Sequence, residues 1–158
     1  MSTQPNEAAF ENSAALGAPA EVAESPWVVM KFGGTSVSAA ASWQTIAGLA
    51  AARLEQGLRP VIVHSALTGV SNALAEILDI AVTGDPSGEL ENIRKQHYDL
   101  AGELGLDGEG LLEERLHELE QLVAGVRLVK EVSVRVRVRV MALGELLSTS
   151  LGAAYLAK

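Results

Sequence analysis

Residues 31–36 read KFGGTS and close an apolar run, WVVMKF. Two adjacent glycines let the backbone turn sharply and come close to a ligand. Successive N–H groups then face one concavity, and the start of a following helix adds partial positive charge. Lys31 adds a point charge on a flexible stem. This combination suits an anion, phosphate above all. The lysine precedes the glycines, so the stretch is neither a Walker A loop nor a GxGxxG turn. On Gly33 and Gly34 alone, an ordinary strand-to-helix turn with a solvated lysine is the better reading.

Two further stretches carry candidate chemistry. SALTGVSN, residues 65–72, follows the apolar run VIVH. Ser65, Thr68, Gly69 and Ser71 offer hydroxyls and backbone donors there, and Ser71 or Asn72 is a candidate helix cap. A helix start also suits a carboxylate. In GELLSTSLG, Gly144, Ser148 and Gly152 recur every four residues, which on a helix makes a smooth face for close packing. Glu145 lies beside that face, where a carboxylate wants a cation such as the ammonium group of a small substrate. An exposed helix glutamate is the bland alternative.

Other groups carry less. His64 precedes Ser65, but no nucleophile elbow or third member accompanies them, so a hydrolase triad is rejected. Asp99, Glu103, Glu113, Glu114, Glu118 and Glu120 read as solvated helix faces, and His97 and His117 have no constellation around them. Arg135, Arg137 and Arg139 read as a solvated or subunit-facing strip. The histidines make no zinc spacing and there is no cysteine, so no metal site is expected.

The elements that must position these groups alternate. Trp27–Phe32 reads as a buried strand broken by Gly33, followed by a helix capped by Ser36 or Ser38. That helix carries Trp43, Ile46, Ala47, Ala50 and Leu54 on one face and stops at Gly57. VIVHSA is a second buried strand, so the unit predicts a parallel pair with a right-handed crossover. Loops at the carboxyl ends of adjacent parallel strands share one crevice, where ligands of open α/β sheets collect. A helix with Leu74, Ile77, Leu78 and Ala81 follows, then a turn at TGDPSG and helices near 88–104 and 108–131. VSVRVRVRVM fits a half-buried strand by alternation, and equally a helix capped by Ser133 with Val132, Val136, Val140, Leu143 and Leu147 in a stripe. Pattern alone leaves the two even.

The 158 residues, 48% hydrophobic, suit one domain or part of a larger one with a real core. A net charge of −8 argues against broad binding to nucleic acid or anionic membrane. No apolar run approaches the roughly 18 residues of a membrane span. Residues 1–25 are small, polar and acidic, without the features of a secretory or mitochondrial leader, and read as a flexible arm on a cytoplasmic protein.

Taken in order, KFGGTSV, HSALTGVSN and LGELLST resemble the aspartate kinases of the amino acid kinase family. The second loop of that family often reads S-A-x-x-G-x-T-N, and its helix G-E-x-x-S-T. The likeness runs from about Trp27 to Lys158. The acidic arm and VMALGELLSTSLGAAYL are also similar to proteins in which the kinase is fused to a diaminopimelate decarboxylase. The resemblance implies an α/β fold, the N-terminal part of an αβα sandwich with a mainly parallel sheet. It favours helix for VRVRVRVM. It implies transfer of the ATP γ-phosphoryl group to the side-chain carboxylate of L-aspartate, with Mg2+ alongside the ATP. Lys31 would stabilise the moving phosphoryl group, with Phe32, Gly33, Gly34 and Ser65 in the phosphate site. Thr35, Ser71 and Glu145 would bind aspartate. Ser71 stands where threonine is commoner, and the Val-Arg run is unusual for the family.

The family's nucleotide half and regulatory domains have no counterpart here, so residues 26–158 are expected to be the amino-acid-binding part of a longer, homo-oligomeric kinase. Another amino acid kinase of the same superfamily, or a phosphate-binding assembly module without catalysis, are the alternatives.

Overall fold

A computed structural model describes residues 25–158; the arm expected over 1–25 lies, but for Ser25, outside the described residues. Two strands, β1 (Trp27–Phe32) and β2 (Arg59–His64), run parallel with Lys31 opposite Val63 and Phe32 opposite His64. Between them come a single turn, α1 (Gly34–Val37), and the longer α2 (Ala40–Glu55). After β2 the chain is helical: α3 (Val70–Thr83), α4 (Ser87–Glu103), α5 (Gly108–Val129) and α6 (Val134–Leu156).

Local chemistry sets many of these boundaries. Gly57 takes φ +76° after α2, where Leu58 N–H bonds to the Arg53 carbonyl and Gly57 N–H to that of Leu54. That pair of bonds is the Schellman closure expected of a C-terminal glycine. Gly105 closes α4 in the same way, with Leu106 N–H on the Ala101 carbonyl and Gly105 N–H on that of Gly102. Lys158 Nζ adds bonds to the Leu104 and Gly105 carbonyls at 3.1 and 2.7 Å, a cation at a helix C-terminus. Asp107 caps α5 and Ser133 caps α6, their side chains accepting from Gly110 and Val136 N–H.

The Val-Arg run is helical. Val140, Leu143, Leu147 and Leu151 are fully buried and Val132 and Val136 half-buried, whereas Val134 and Val138 are exposed. Burial of that single stripe outweighs the mild helix aversion of β-branched residues. Three helix expectations are corrected. The helix after β1 is two pieces, α1 and α2, capped at Gly33 and Ala39; neither Ser36 nor Ser38 is an N-cap. Leu54 is exposed rather than on the buried face of α2. Gly69, at φ +85°, begins α3, so neither Ser71 nor Asn72 caps it.

The strands also differ from expectation. Their residues alternate exposed and half-buried along both strands, so one face is covered and the other is open. α2 and α6 pack on β2, while Trp27, Val29, Val61 and Val63 line the open face. Continuous apolar runs predicted burial on both faces; among the described residues only one side has helices over it. The main core lies instead among α3–α6, where Leu74, Ile77, Leu78, Leu112, Leu143 and Leu147 are closed to solvent.

Candidate functional site

The carboxyl ends of β1 and β2 lie side by side, and Ser65 N–H donates to the Phe32 carbonyl at 3.2 Å, extending the ladder by one bond. The KFGGTS turn and the SALTGVSN loop therefore leave the sheet together. Gly34 lies directly over the second loop: a Cβ there would be 2.8 Å from the Ala66 carbonyl oxygen and 3.4 Å from Thr68 N. The turn can sit this close only because residue 34 lacks a side chain. Gly33 is different. Its φ of −80° is open to any residue, and a Cβ there would meet nothing within 4 Å. The fold thus demands glycine at 34 and leaves free space over 33.

The third motif reaches the same point from the other side. A Cβ on Gly144 would be 3.1 Å from the Ala66 Cβ, 3.1 Å from Leu74 and 3.3 Å from Val70. One turn on, Ser148 Oγ lies 3.1 Å from His64 Nδ1, and another turn on, a Cβ on Gly152 would be 2.4 Å from the Trp43 ring. The small-residue face read from the sequence is the face that docks α6 on the end of β2. His64 stacks edge-on with Trp43 at 5.2 Å, its Nδ1 near the Ser65 carbonyl at 3.2 Å as well as the Ser148 hydroxyl. It serves packing between α2, β2 and α6.

Ala66 is thereby the meeting point of all three motifs, with Gly34 over its carbonyl and Gly144 against its methyl. Around it the candidate side chains differ in setting. Lys31 stands on the open face of β1, exposed, and Phe32 turns to the covered face. Thr35 is exposed on α1, Ser65 and Ser71 are half-buried, and Glu145 is exposed on α6 beside the docked face. Among the described residues neither Lys31 nor Glu145 enters an ion pair. The arginine strip differs: Arg137 pairs with Asp79 at 3.3 Å and Arg139 with Glu118.

Concave volume is found elsewhere. A groove of about 490 Å³ lies at the amino ends of the strands, lined by Trp27, Arg59, Pro60, Leu54 and Leu156. It is apolar and on the wrong side of the sheet for the motifs, since ligands of parallel sheets collect at the carboxyl ends. A smaller recess of about 190 Å³, lined by Phe32, Ser36, Ser42, Thr45 and Ile46, sits beneath the KFGGTS turn.

Sequence reasoning missed Ser38. Its hydroxyl contacts Gly34 and Thr68 across the two loops. The partners are 30 residues apart, and no local pattern announces such a contact.

Comparison with known proteins identifies the family. The model of the amino acid kinase family matches residues 26–158. The chain is 37% identical to "Aspartokinase 2, chloroplastic" of Arabidopsis thaliana over 135 residues, covering 82% of this chain and 24% of that protein. It is 38% identical to "Aspartokinase 3, chloroplastic" of the same plant, with the same coverage. It is 33% identical to "Aspartokinase" of Chlamydia muridarum over 128 residues, 81% of this chain and 27% of that protein. The chain therefore spans about a quarter of the length of these relatives. No described helix is long and apolar enough to cross a membrane. With three motifs converging on Ala66 and a family match over nearly all described residues, the chain belongs to the amino acid kinase family, with aspartokinases among its homologues.

Proposed function

We propose that this segment is the amino-acid-binding part of an aspartate kinase. The reaction breaks the bond between the γ-phosphorus of ATP and its bridging oxygen. It forms a bond from that phosphorus to a side-chain carboxylate oxygen of L-aspartate, giving ADP and 4-phospho-L-aspartate. This product leads towards lysine, threonine and methionine. The observation that supports the reading is the convergence on Ala66, where the turn that follows Lys31, the loop bearing Ser65 and Ser71, and the helix bearing Glu145 pack against one another.

Phosphoryl transfer asks the protein mainly for positioning and charge stabilisation. Lys31 supplies a cation that no described carboxylate neutralises. The free space over Gly33 admits a phosphate to the backbone N–H groups of the turn. Ser65 lies along the path of the phosphoryl group, and Thr35 and Ser71 hold the acceptor. Glu145 receives its ammonium group. Among the described residues no group of three or more His, Cys, Asp or Glu side chains is placed to hold a metal ion. The ion would come with the nucleotide phosphates, as is usual for magnesium. A cytoplasmic location and a homo-oligomeric whole belong to the same proposal.

The test is ATP-dependent acyl-phosphate formation, trapped as the hydroxamate, on the full natural polypeptide with aspartate, glutamate and acetylglutamate as acceptors. Aspartate-specific product is the expected result. Product with another acceptor would move the protein elsewhere in the superfamily. No product with any acceptor would leave a phosphate-binding assembly module.

A further inference from the structure

Ser38 follows α1, a helix of only four residues. Its Oγ lies 2.7 Å from the Gly34 carbonyl oxygen, 2.8 Å from Thr68 N and 3.2 Å from Thr68 Oγ1. A hydroxyl has one proton to donate and two lone pairs to accept with. A carbonyl only accepts and an amide N–H only donates. Ser38 therefore donates to Gly34 and accepts from Thr68 N–H, and its second lone pair takes the Thr68 hydroxyl proton. All three capacities are used, in one arrangement.

A serine hydroxyl bonded to the carbonyl four residues back is a common local habit. That habit accounts for the Gly34 contact and not for the Thr68 amide, which comes from the other loop. On its far side Thr68 is held too, its carbonyl accepting from Gln96 Nε2 of α4 at 3.1 Å. The Thr68 peptide is thus gripped between α1 and α4, immediately before Gly69 starts the helix that carries Ser71.

We infer that Ser38 is a positioning residue: its hydroxyl latches the Gly34 turn to the Thr68 peptide and so sets the spacing between the phosphate side and the acceptor side of the crevice before either ligand binds. This rests on the kinase reading above. Loops carrying ligand groups are the segments most prone to local opening, and effective transfer needs the reacting groups held in register.

The test uses Ser38→Ala and Ser38→Thr in the full natural polypeptide, with two readouts. Hydrogen exchange followed by mass spectrometry should show peptides covering 65–72 exchanging roughly tenfold faster in Ser38→Ala, with β1 and α5 peptides unchanged. Acyl-phosphate turnover should fall by roughly five- to tenfold in kcat, as expected for one lost positioning bond. Ser38→Thr keeps the hydroxyl and should restore both readouts. Unchanged exchange in Ser38→Ala would overturn the latch. Faster exchange with unchanged kcat would overturn its positioning role. Failure of the kinase reading shows differently, as a parent protein without product; the positioning role falls with it, and exchange alone then decides whether Ser38 latches the loops.

Discussion

A Cβ on Gly34 would lie 2.8 Å from the Ala66 carbonyl oxygen, whereas one on Gly33, its neighbour, would meet nothing within 4 Å. The two glycines should therefore fail in different ways. Gly34→Ala must push the turn off the second loop, and a loss of about 1–3 kcal/mol in stability is expected on thermal or urea unfolding. Gly33→Ala should cost about 1 kcal/mol or less, the worth of an N-cap glycine over alanine. It should nevertheless weaken turnover, because its methyl fills the space a phosphate needs. Equal loss of stability in both variants would show that the fold, not a ligand, requires Gly33. Lys31 and Glu145 belong to the same scale. Lys31→Ala should lower kcat by roughly 10² or more, as removal of a preorganised charge stabiliser does. Glu145→Gln should act instead on acceptor binding, raising the aspartate KM by roughly tenfold. Near-normal turnover in the first, or an unchanged KM in the second, would remove that residue from the mechanism.

Between elements, the contact that most needs small residues is α6 against β2 and α2. Gly152 leaves room for the Trp43 ring, which a Cβ would approach to 2.4 Å, and for His64 Nε2, approached to 2.8 Å. Trp43 cannot easily retreat, since it is fully buried and its Nε1–H is bonded to the Val37 carbonyl at 2.9 Å. Gly152→Ala should therefore destabilise by about 1–3 kcal/mol despite alanine's better helix propensity. A midpoint unchanged in urea would show that α6 docks more loosely than these distances imply. The α4–α5 pair is held differently. Arg94 reaches Glu113 and Glu120 at 2.8 and 2.7 Å, and Tyr98 donates to Glu113 at 2.8 Å. The bonds from Arg94 and Tyr98 hold the Glu113 carboxyl below its ordinary pKa, and the two carboxylates raise that of the guanidinium.

At the scale of the whole molecule, pH should act through His97. It is fully buried on α4, with Nδ1 donating to the Ile93 carbonyl at 2.8 Å and Nε2 without a partner. Protonation would put a charged N–H into the core with no acceptor, so burial pushes its pKa below the ordinary histidine value. The unfolded chain takes up that proton first, near pH 6.5. Stability is then fullest above about pH 6.5 and falls as pH drops from there through the lower folded pKa. His97→Leu, which cannot be protonated, should flatten the stability profile over that interval in urea titrations at stepped pH. An unaltered slope would assign the acid sensitivity to other groups.

The sequence by itself determined the pieces whose causes are local. The Gly57 stop, the leucine stripes of α3 and α5 and the strand–helix–strand unit behind the parallel pair all follow from period, stop signals and backbone chemistry along the chain. So did the close-packing face of Gly144, Ser148 and Gly152, since spacing on a helix fixes which residues share a face. Tertiary structure decided what depends on residues far along the chain. By pattern the Val-Arg run was even between strand and helix; the family resemblance favoured helix, and burial of Val140, Leu143 and Leu147 along one face is the physical reason. The strands could be read as apolar, but not which faces would be covered. His97 looked like one more polar residue until packing closed it to solvent. The convergence of the three motifs is of this second kind: Gly34, Ala66 and Gly144 are far apart in sequence, and only packing brings them within contact distance.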